Sequence, residues 1–194
     1  MYSISLPVLS GTEHLTFRCT GCGECCRSFR VAVTHHDLRR LSSASERSCA
    51  ELVEWLRPDA VDMTDEPSSF VELGAGRRLM VLAQRERACV FLDGENRCTS
   101  YESRPLDCQL YPFHLDRDSA GTRLSLLDLE ACDDARDGRT DPAALDELDR
   151  RRWRELTEYQ AEVKRWNRMA RHRRRLNRRV GDSRDFLKFL GLTV

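Results

Sequence analysis

The stretch "CTGCGECC", residues 19–26, places four thiols within eight residues: Cys19, Cys22, Cys25 and Cys26. A C-x-x-C step lets two thiolates reach one metal, and here the step is repeated before a second adjacent cysteine closes the run. The intervening Gly21 and Gly23 allow the tight backbone turns that direct N–H groups toward sulfur. The stretch therefore predicts a metal-binding loop around which the chain folds.

The chain has nine cysteines, and four more of them follow downstream: Cys89, Cys98, Cys108 and Cys132. Eight thiols suffice for two four-cysteine sites, either tetrathiolate zinc or iron–sulfur. The downstream cysteines are separated by 8, 9 and 23 residues, which does not suit a second zinc knuckle but suits an iron–sulfur cluster. The spacing favours iron–sulfur, with 4Fe–4S as the first choice, and leaves Zn²⁺ open.

Two other cysteine features carry their own predictions. Because adjacent side chains diverge in a helix or strand, we expect Cys25 and Cys26 to serve different metals or different sides of one cluster. The ninth cysteine, Cys49, lies in an apolar pattern and is predicted to be a small core residue rather than a ligand.

The charge of the chain is balanced overall but uneven along its length. Lys and Arg number 32, as do Asp and Glu, so net charge alone indicates neither nucleic-acid nor membrane binding. Residues 150–179, however, hold thirteen Arg or Lys against three Glu. This basic segment is either a partner surface or an intramolecular match for acidic residues such as those at 128–137. Aromatic residues do not interleave with its terminal run, so nucleic-acid binding is an alternative and is not favoured.

No stretch is apolar enough to span a membrane, and residues 1–17 lack the pattern of a signal peptide. We therefore expect a cytoplasmic protein without membrane contact, in which reducing conditions keep the cysteines as thiols. Metal ions are the expected partners, while a protein redox partner and the oligomeric state are left open.

Several elements can be predicted in the first part of the chain. A strand is expected over 28–34, followed by a helix that begins at a capping box formed by Thr34 and Asp37. A second helix is expected over 45–56. Hairpins are expected over 68–84, turning at 74–76, and over 114–129, turning at 120–121.

The C-terminal part is predicted to be helical. Asp141 followed by proline predicts a helix start, and the helical pattern continues to about Val180, before Gly181 as a stop and a short helix over 184–192. Apolar residues recur at helical spacing within it: Leu156, Tyr159, Val163, Trp166 and Ala170.

These elements predict an α+β fold: a small cysteine-rich metal-binding body with short strands and helices, and a long C-terminal helix docked on it. The predicted division is a cysteine-cluster metal-binding domain over 1–140 and a basic helical segment over 141–194 that packs against it.

Three quoted stretches and one late cysteine carry a resemblance to a known family. "CTGCGECC" (19–26), "CVFLDGENRC" (89–98), "YESRPLDCQLYPF" (101–113) and Cys132 resemble the YkgJ-type CxxCxxCC cysteine-cluster family, a zinc- or iron-chelating domain. The resemblance covers about residues 15 to 135, and "VKRWN" (163–167) is similar to that family's tail. It implies eight metal ligands: Cys19, Cys22, Cys25, Cys26, Cys89, Cys98, Cys108 and Cys132.

Three functions follow as hypotheses. The first is a metal-binding protein for redox, sensing or metal handling. The second is a cluster-containing, protein-modifying enzyme, because flagellin lysine-methylating enzymes carry a similar cysteine set; the chain has no G-x-G-type cofactor loop, so methyl transfer is a minor option. The third is a zinc-stabilised nucleic-acid-binding module that uses the basic segment.

Two residues near Cys108 are expected to support the site, while catalytic residues remain unknown. Arg104 is expected either to hydrogen-bond near the thiolates or to pair with Glu102 or Asp107. Tyr111 is expected to pack beside the site. The histidines lack the spacing of metal ligands.

Overall fold

The computed structural model describes residues 17–61, 67–118, 121–126 and 140–194. The predicted ligand Cys132 and the acidic stretch at 128–137 lie outside the described residues.

A three-stranded antiparallel sheet forms one wall of the core. Strand β1 (Val53–Leu56) and strand β2 (Val71–Leu73) pair with opposite edges of the central strand β3 (Gly76–Leu82). The hairpin predicted over 68–84 is therefore confirmed as β2–β3, with Leu73 opposite Gly76. Gly76 has a φ of 98°, a conformation that glycine adopts without steric cost.

Two further hairpins follow the sheet. Strand β4 (Gln84–Arg85) pairs with strand β5 (Ala88–Cys89), and strand β6 (Phe113–Asp118) pairs with strand β7 (Gly121–Leu126). The second pair confirms the hairpin predicted over 114–129. The first places Cys89 directly after a tight turn.

Five α-helices and three 3₁₀ turns complete the described part of the chain. The helices are α1 (Glu24–Ser28), α2 (His35–Ser45), α3 (Leu106–Leu110), α4 (Pro142–Arg175) and α5 (Ser183–Phe189), and the 3₁₀ turns are Pro58–Ala60, Pro67–Ser69 and Tyr101–Ser103. The predicted capping box of α2 is confirmed: the Thr34 hydroxyl accepts from the Asp37 N–H at 3.2 Å, and the Asp37 carboxylate accepts from the Thr34 N–H at 2.9 Å.

The helix predicted over 45–56 is wrong. Helix α2 ends at Ser45, Glu46 is left-handed with a φ of 56°, and the chain turns before β1 begins at Val53. A short apolar run fits a helix or a strand equally well, and pairing with β3 decides for the strand. The strand predicted over 28–34 is also reduced, because α1 extends to Ser28 and Ala32 makes only an isolated bridge with Val81.

The long helix α4 docks on the body as predicted. The Asp141 carboxylate accepts from the Ala143 N–H at 2.9 Å, which confirms the predicted cap. All five predicted apolar residues are buried, and they share one core with α2, α5 and the sheet. The fold is therefore α+β, with a long C-terminal helix packed on a small cysteine-rich body. None of the described helices combines the length and apolar character that a membrane crossing requires.

Helix α4 ends earlier than predicted and by a different device. Asn177 is left-handed with a φ of 51°, and the Arg178 N–H donates to the Arg173 carbonyl at 2.9 Å, as in a Schellman motif. Gly181, the predicted stop, has another role: a Cβ there would lie 2.7 Å from the Trp166 ring. Glycine at 181 lets the chain pass close against the helix.

Candidate metal centre

The loop before α1 is shaped by the two glycines between its cysteines. Gly21 and Gly23 have φ angles of 72° and 74°, as the sequence led us to expect, and Gly23 is the N-cap of α1. A Cβ on Gly23 would lie 3.0 Å from both the Asn96 carbonyl oxygen and a Leu92 methyl carbon. Arg27 joins the same two segments, because its guanidinium donates to the Cys22 carbonyl at 3.4 Å and to the Asn96 side chain.

All the predicted cysteine ligands that the structure describes line one cleft of about 630 Å³. They come from separate segments: the loop before α1, α1 itself, β5, the loop after β5, and α3. Cys19 and Cys22 are exposed, and the other thiols of the set are partly buried. The seven are Cys19, Cys22, Cys25, Cys26, Cys89, Cys98 and Cys108.

Cys26 stands at the centre of the thiol contacts. Its thiol is close enough to those of Cys25 and Cys89 to shift their pKa values, and α1 and β5 are in contact. Cys98 and Cys108 are near enough that each raises the pKa of at least one other cleft thiol. Within the described ranges, no three Cys, His, Asp or Glu side chains already stand as a group that could hold a metal ion.

The environment raises the pKa of most of these thiols. The hydrogen bond with Cys26 and burial raise the pKa of Cys25, and burial raises the pKa of Cys108 well above its usual value. For Cys26, the hydrogen bond with Cys25 lowers the pKa, but the hydrogen bond with Cys89 and burial outweigh it and raise the pKa to about 12. The hydrogen bond with Cys26 lowers the pKa of Cys89. A bound cation would stabilise the thiolates, so metal binding at this cleft would release protons.

Arg104 lies beside the thiols and does not take either of the two carboxylate partners considered for it. It donates to the Tyr101 carbonyl at 2.9 Å and stacks on the Tyr101 ring at 3.6 Å from the centroid. Among the described residues it forms no ion pair with Glu102 or Asp107; Asp107 pairs instead with Arg152 on α4. Burial raises the pKa of Cys98, and the charge of Arg104 opposes this rise.

Aromatic side chains border the thiols. Tyr111 lies 5.1 Å from the Phe29 ring, and Phe17 packs edge-on against Phe113 at 5.7 Å. All four line the cleft, so Tyr111 packs beside the thiols as the sequence suggested.

A buried ionic network holds the helix that carries Cys108. The Asp37 carboxylate accepts from the Leu106 N–H, the first residue of α3, at 3.2 Å and from Arg40 at 2.5 Å. Arg40 also bonds Glu155 of α4 at 2.7 Å, and Arg152 holds Asp107. Sequence reasoning missed this network. The only signal for it was Glu155, a carboxylate one residue before the apolar Leu156 on α4.

Cys49, His35 and His36 lie elsewhere. Cys49 is 1% exposed, and its sulfur is 3.8 Å from both the Leu38 carbonyl and the Thr193 hydroxyl, which confirms it as a core residue. It occupies a turn rather than the predicted helix. His35 is buried on α2 and His36 pairs with Glu158, and neither lines the thiol cleft.

The fold and the cleft define a small α+β domain that gathers thiols, the soft ligands of zinc and iron. The family model CxxCxxCC, described as "Putative zinc- or iron-chelating domain", matches residues 18–136, and the chain belongs to this family. It is a metal-binding protein, as the resemblance implied. Neither a curated protein nor a solved structure matches the chain.

Proposed function

We propose that this protein carries an iron–sulfur cluster, with 4Fe–4S favoured, and uses it for redox chemistry, sensing or metal handling. The observation that carries the proposal is the convergence of seven thiols, from separate segments, on one cleft. Such scattered thiolates suit iron–sulfur clusters, whereas structural zinc usually takes two closely spaced knuckles. Zn²⁺ on the same thiolates is the second candidate, and the family description includes both metals.

The proposed ligands are the seven cleft cysteines and Cys132, which lies within the family match but outside the described residues. Arg104 would offset part of the thiolate charge from its place near Cys98. Tyr111 and Phe29 would shield the site from water. Charge and solvent access are the properties through which a protein tunes a cluster's potential.

The first experiment identifies the metal. Protein purified without oxygen is analysed for iron, zinc and acid-labile sulfide, and its visible spectrum is recorded. We expect brown protein with iron and sulfide in comparable amounts. Colourless protein with stoichiometric zinc would show that the thiols hold zinc instead of a cluster. Protein that holds neither metal after reconstitution would overturn the whole proposal.

The second experiment identifies the ligands. Each proposed ligand is changed singly to serine, and bound metal per chain is measured, with Cys49→Ser as the matched control. We expect bound metal to fall in variants such as Cys26→Ser and Cys89→Ser and to stay at the parent level in Cys49→Ser. Full retention of metal in most of the eight variants would contradict the ligand assignment.

A further inference from the structure

The C-terminal half of α4 and the residues after it form a basic surface. This surface has more cationic side chains than there are carboxylates paired with them in the fold. Residues 164–179 contain nine Lys or Arg and no Asp or Glu. Arg171 and Arg174 pair with Glu72 at 3.9 and 2.8 Å. Arg165 and Arg179 pair with Glu162 and Asp182, which lie just outside the segment. The remaining five have no ion-pair partner among the described residues, and all are exposed: Lys164, Arg168, Arg173, Arg175 and Arg178.

Helical spacing aligns four of the cations. Lys164, Arg168, Arg171 and Arg175 follow one another at steps of four, three and four residues, so they share one face, which we call the basic stripe. This face lies opposite the buried side of α4, where Val163, Trp166 and Ala170 enter the core. At 1.5 Å per residue the stripe is about 16 Å long.

We propose that the basic stripe binds the phosphate backbone of a double-stranded nucleic acid. A duplex carries one negative charge for about every 1.7 Å of its axis, so a 16 Å length of duplex carries roughly ten phosphates, of which the stripe would meet those on the near side. Eight of the nine cations in the segment are arginine, whose planar guanidinium binds phosphate oxygens in pairs. The density and the chemistry of the stripe both match this partner.

Other polyanions fit less well. A bilayer would need an apolar face to insert beside the cations, and the apolar face of α4 is already buried in the core. A protein interface would need apolar anchors at its centre, and within residues 164–179 the exposed large apolar side chains are only Met169 and Leu176. Single strands are held by stacking on aromatic rings, and the one aromatic residue in 164–179, Trp166, is buried.

Phosphate contacts position a protein on a duplex without reading its sequence, so the proposed binding is independent of base sequence. It is also separate from the thiol cleft, because none of the stripe residues lines that cleft. The metal assignment and the duplex assignment can therefore fail independently.

The test uses the full metal-loaded chain and fluorescence anisotropy with labelled DNA and RNA duplexes. The stripe variant is Lys164→Gln/Arg168→Gln/Arg175→Gln, which leaves the Glu72 pairs intact. The matched control, Arg57→Gln/Arg85→Gln/Arg87→Gln, removes three exposed charges from the body. Circular dichroism verifies that both variants fold.

We expect the parent to bind a duplex and the stripe variant to bind at least about tenfold more weakly at about 50 mM salt. The slope of log affinity against log salt should fall by about three in that variant, one for each lost phosphate contact. The control should stay within about threefold of the parent.

Three results would overturn the proposal. The first is no saturable binding of either duplex at low salt. The second is an equal loss of affinity in the stripe variant and the control, which would mean that general charge is responsible. The third is tighter binding to phosphatidylserine vesicles or to polyglutamate than to either duplex, which would assign the stripe to a membrane or to an acidic protein.

Discussion

Cys26 and Cys49 are the same residue type in two different surroundings. Cys26 lies on α1 and lines the cleft together with other thiols, and those of Cys25 and Cys89 are close enough to shift its pKa. Cys49 is enclosed by the core, with backbone and hydroxyl oxygens as its polar contacts. The sequence predicted Cys26 as a metal ligand because its thiol is clustered with others, and Cys49 as a packing residue because it stands alone in an apolar pattern. The structure places Cys49 in the core and Cys26 in the cleft, where its role as a ligand stays a prediction.

His35 should make the folded state sensitive to acid. Burial, and to a smaller extent the charges of His36 and Arg39, lower its pKa from 6.5 to about 4, while Glu155 opposes the shift. The unfolded chain therefore binds a proton at His35 more readily than the folded chain does. The contribution of neutral His35 to the free energy of unfolding is complete above pH 6.5 and is lost as the pH falls toward 4. The loss should reach roughly 3 kcal/mol in the free energy of unfolding.

This effect is measured as the difference in melting temperature between pH 7 and pH 5, a window in which roughly 2 kcal/mol of the loss should appear. We expect His35→Gln to reduce that difference relative to the parent. The control variant is His172→Gln, whose side chain is exposed on α4 and does not act on His35, and it should keep the difference. The parent and the variants share the same thiolates, so the contribution of the thiolates to the pH dependence cancels when their melting temperatures are compared. An unchanged pH dependence in His35→Gln would contradict the assignment.

Tyr159 offers a second test at the level of one side chain. Its ring is 2% exposed, and its hydroxyl has no hydrogen-bond partner among the described residues. A buried hydroxyl without a partner costs free energy, so removing it should not destabilise the fold. We expect Tyr159→Phe to keep or raise the free energy of unfolding in a denaturant titration. A loss of more than about 1 kcal/mol would reveal a hydrogen bond made by that hydroxyl.

At the scale of elements, long periodic patterns were predictable and short ones were not. Helix α4 has both an N-cap signal and many turns of consistent apolar spacing, so its start and its buried face were correct. The 45–56 segment contains a single apolar run, and only its pairing with β3, which is distant in sequence, makes it a strand. The end of α4 was predicted too late, because Asn177 adopts the left-handed conformation that ends the helix, which had been expected at Gly181.

Trp166 should be the main anchor of α4. It is 8% exposed, its indole N–H donates to the Glu72 carbonyl at 2.8 Å, and its ring packs edge-on against Phe186 at 5.3 Å. We expect Trp166→Ala to lower the free energy of unfolding by about 3–5 kcal/mol, measured by denaturant titration. Trp153, on the same helix and 45% exposed, provides the control, and Trp153→Ala should change stability by less than about 1 kcal/mol.

Equal effects of the two tryptophan variants would mean that α4 is not docked through this face in solution. A parent-like melting curve for Trp166→Ala would carry the same meaning.

At the scale of the whole molecule, the cysteines that line the thiol cleft could be predicted from the sequence. The contacts that hold their segments in place could not. Cysteine spacing identified the residues that line it, since each cysteine is visible in the sequence. The contact between Arg40 and Glu155 was not predictable, because it joins residues 115 positions apart and ordinary surface ion pairs have the same composition. The domain boundary at 140 stays a prediction; the family match ends close to it, at residue 136.

The cleft unites short segments that contribute few side chains to the core, so bound metal should stabilise the whole fold. The loop before α1, β5 and the loop to Cys98 are short, and their exposed or partly buried cysteines contribute little core. A ligand that binds only the folded state adds stability, by about 4 kcal/mol when its concentration is a thousand times its dissociation constant. We expect the metal-loaded parent to melt at a clearly higher temperature than the same protein after chelation and verified metal removal. Cys26→Ser, which should already be metal-poor, supplies the control, because chelation should change its melting temperature little. If the parent melts identically with and without metal, the thiol-bearing segments are held by the protein alone, and the metal is cargo rather than part of the fold.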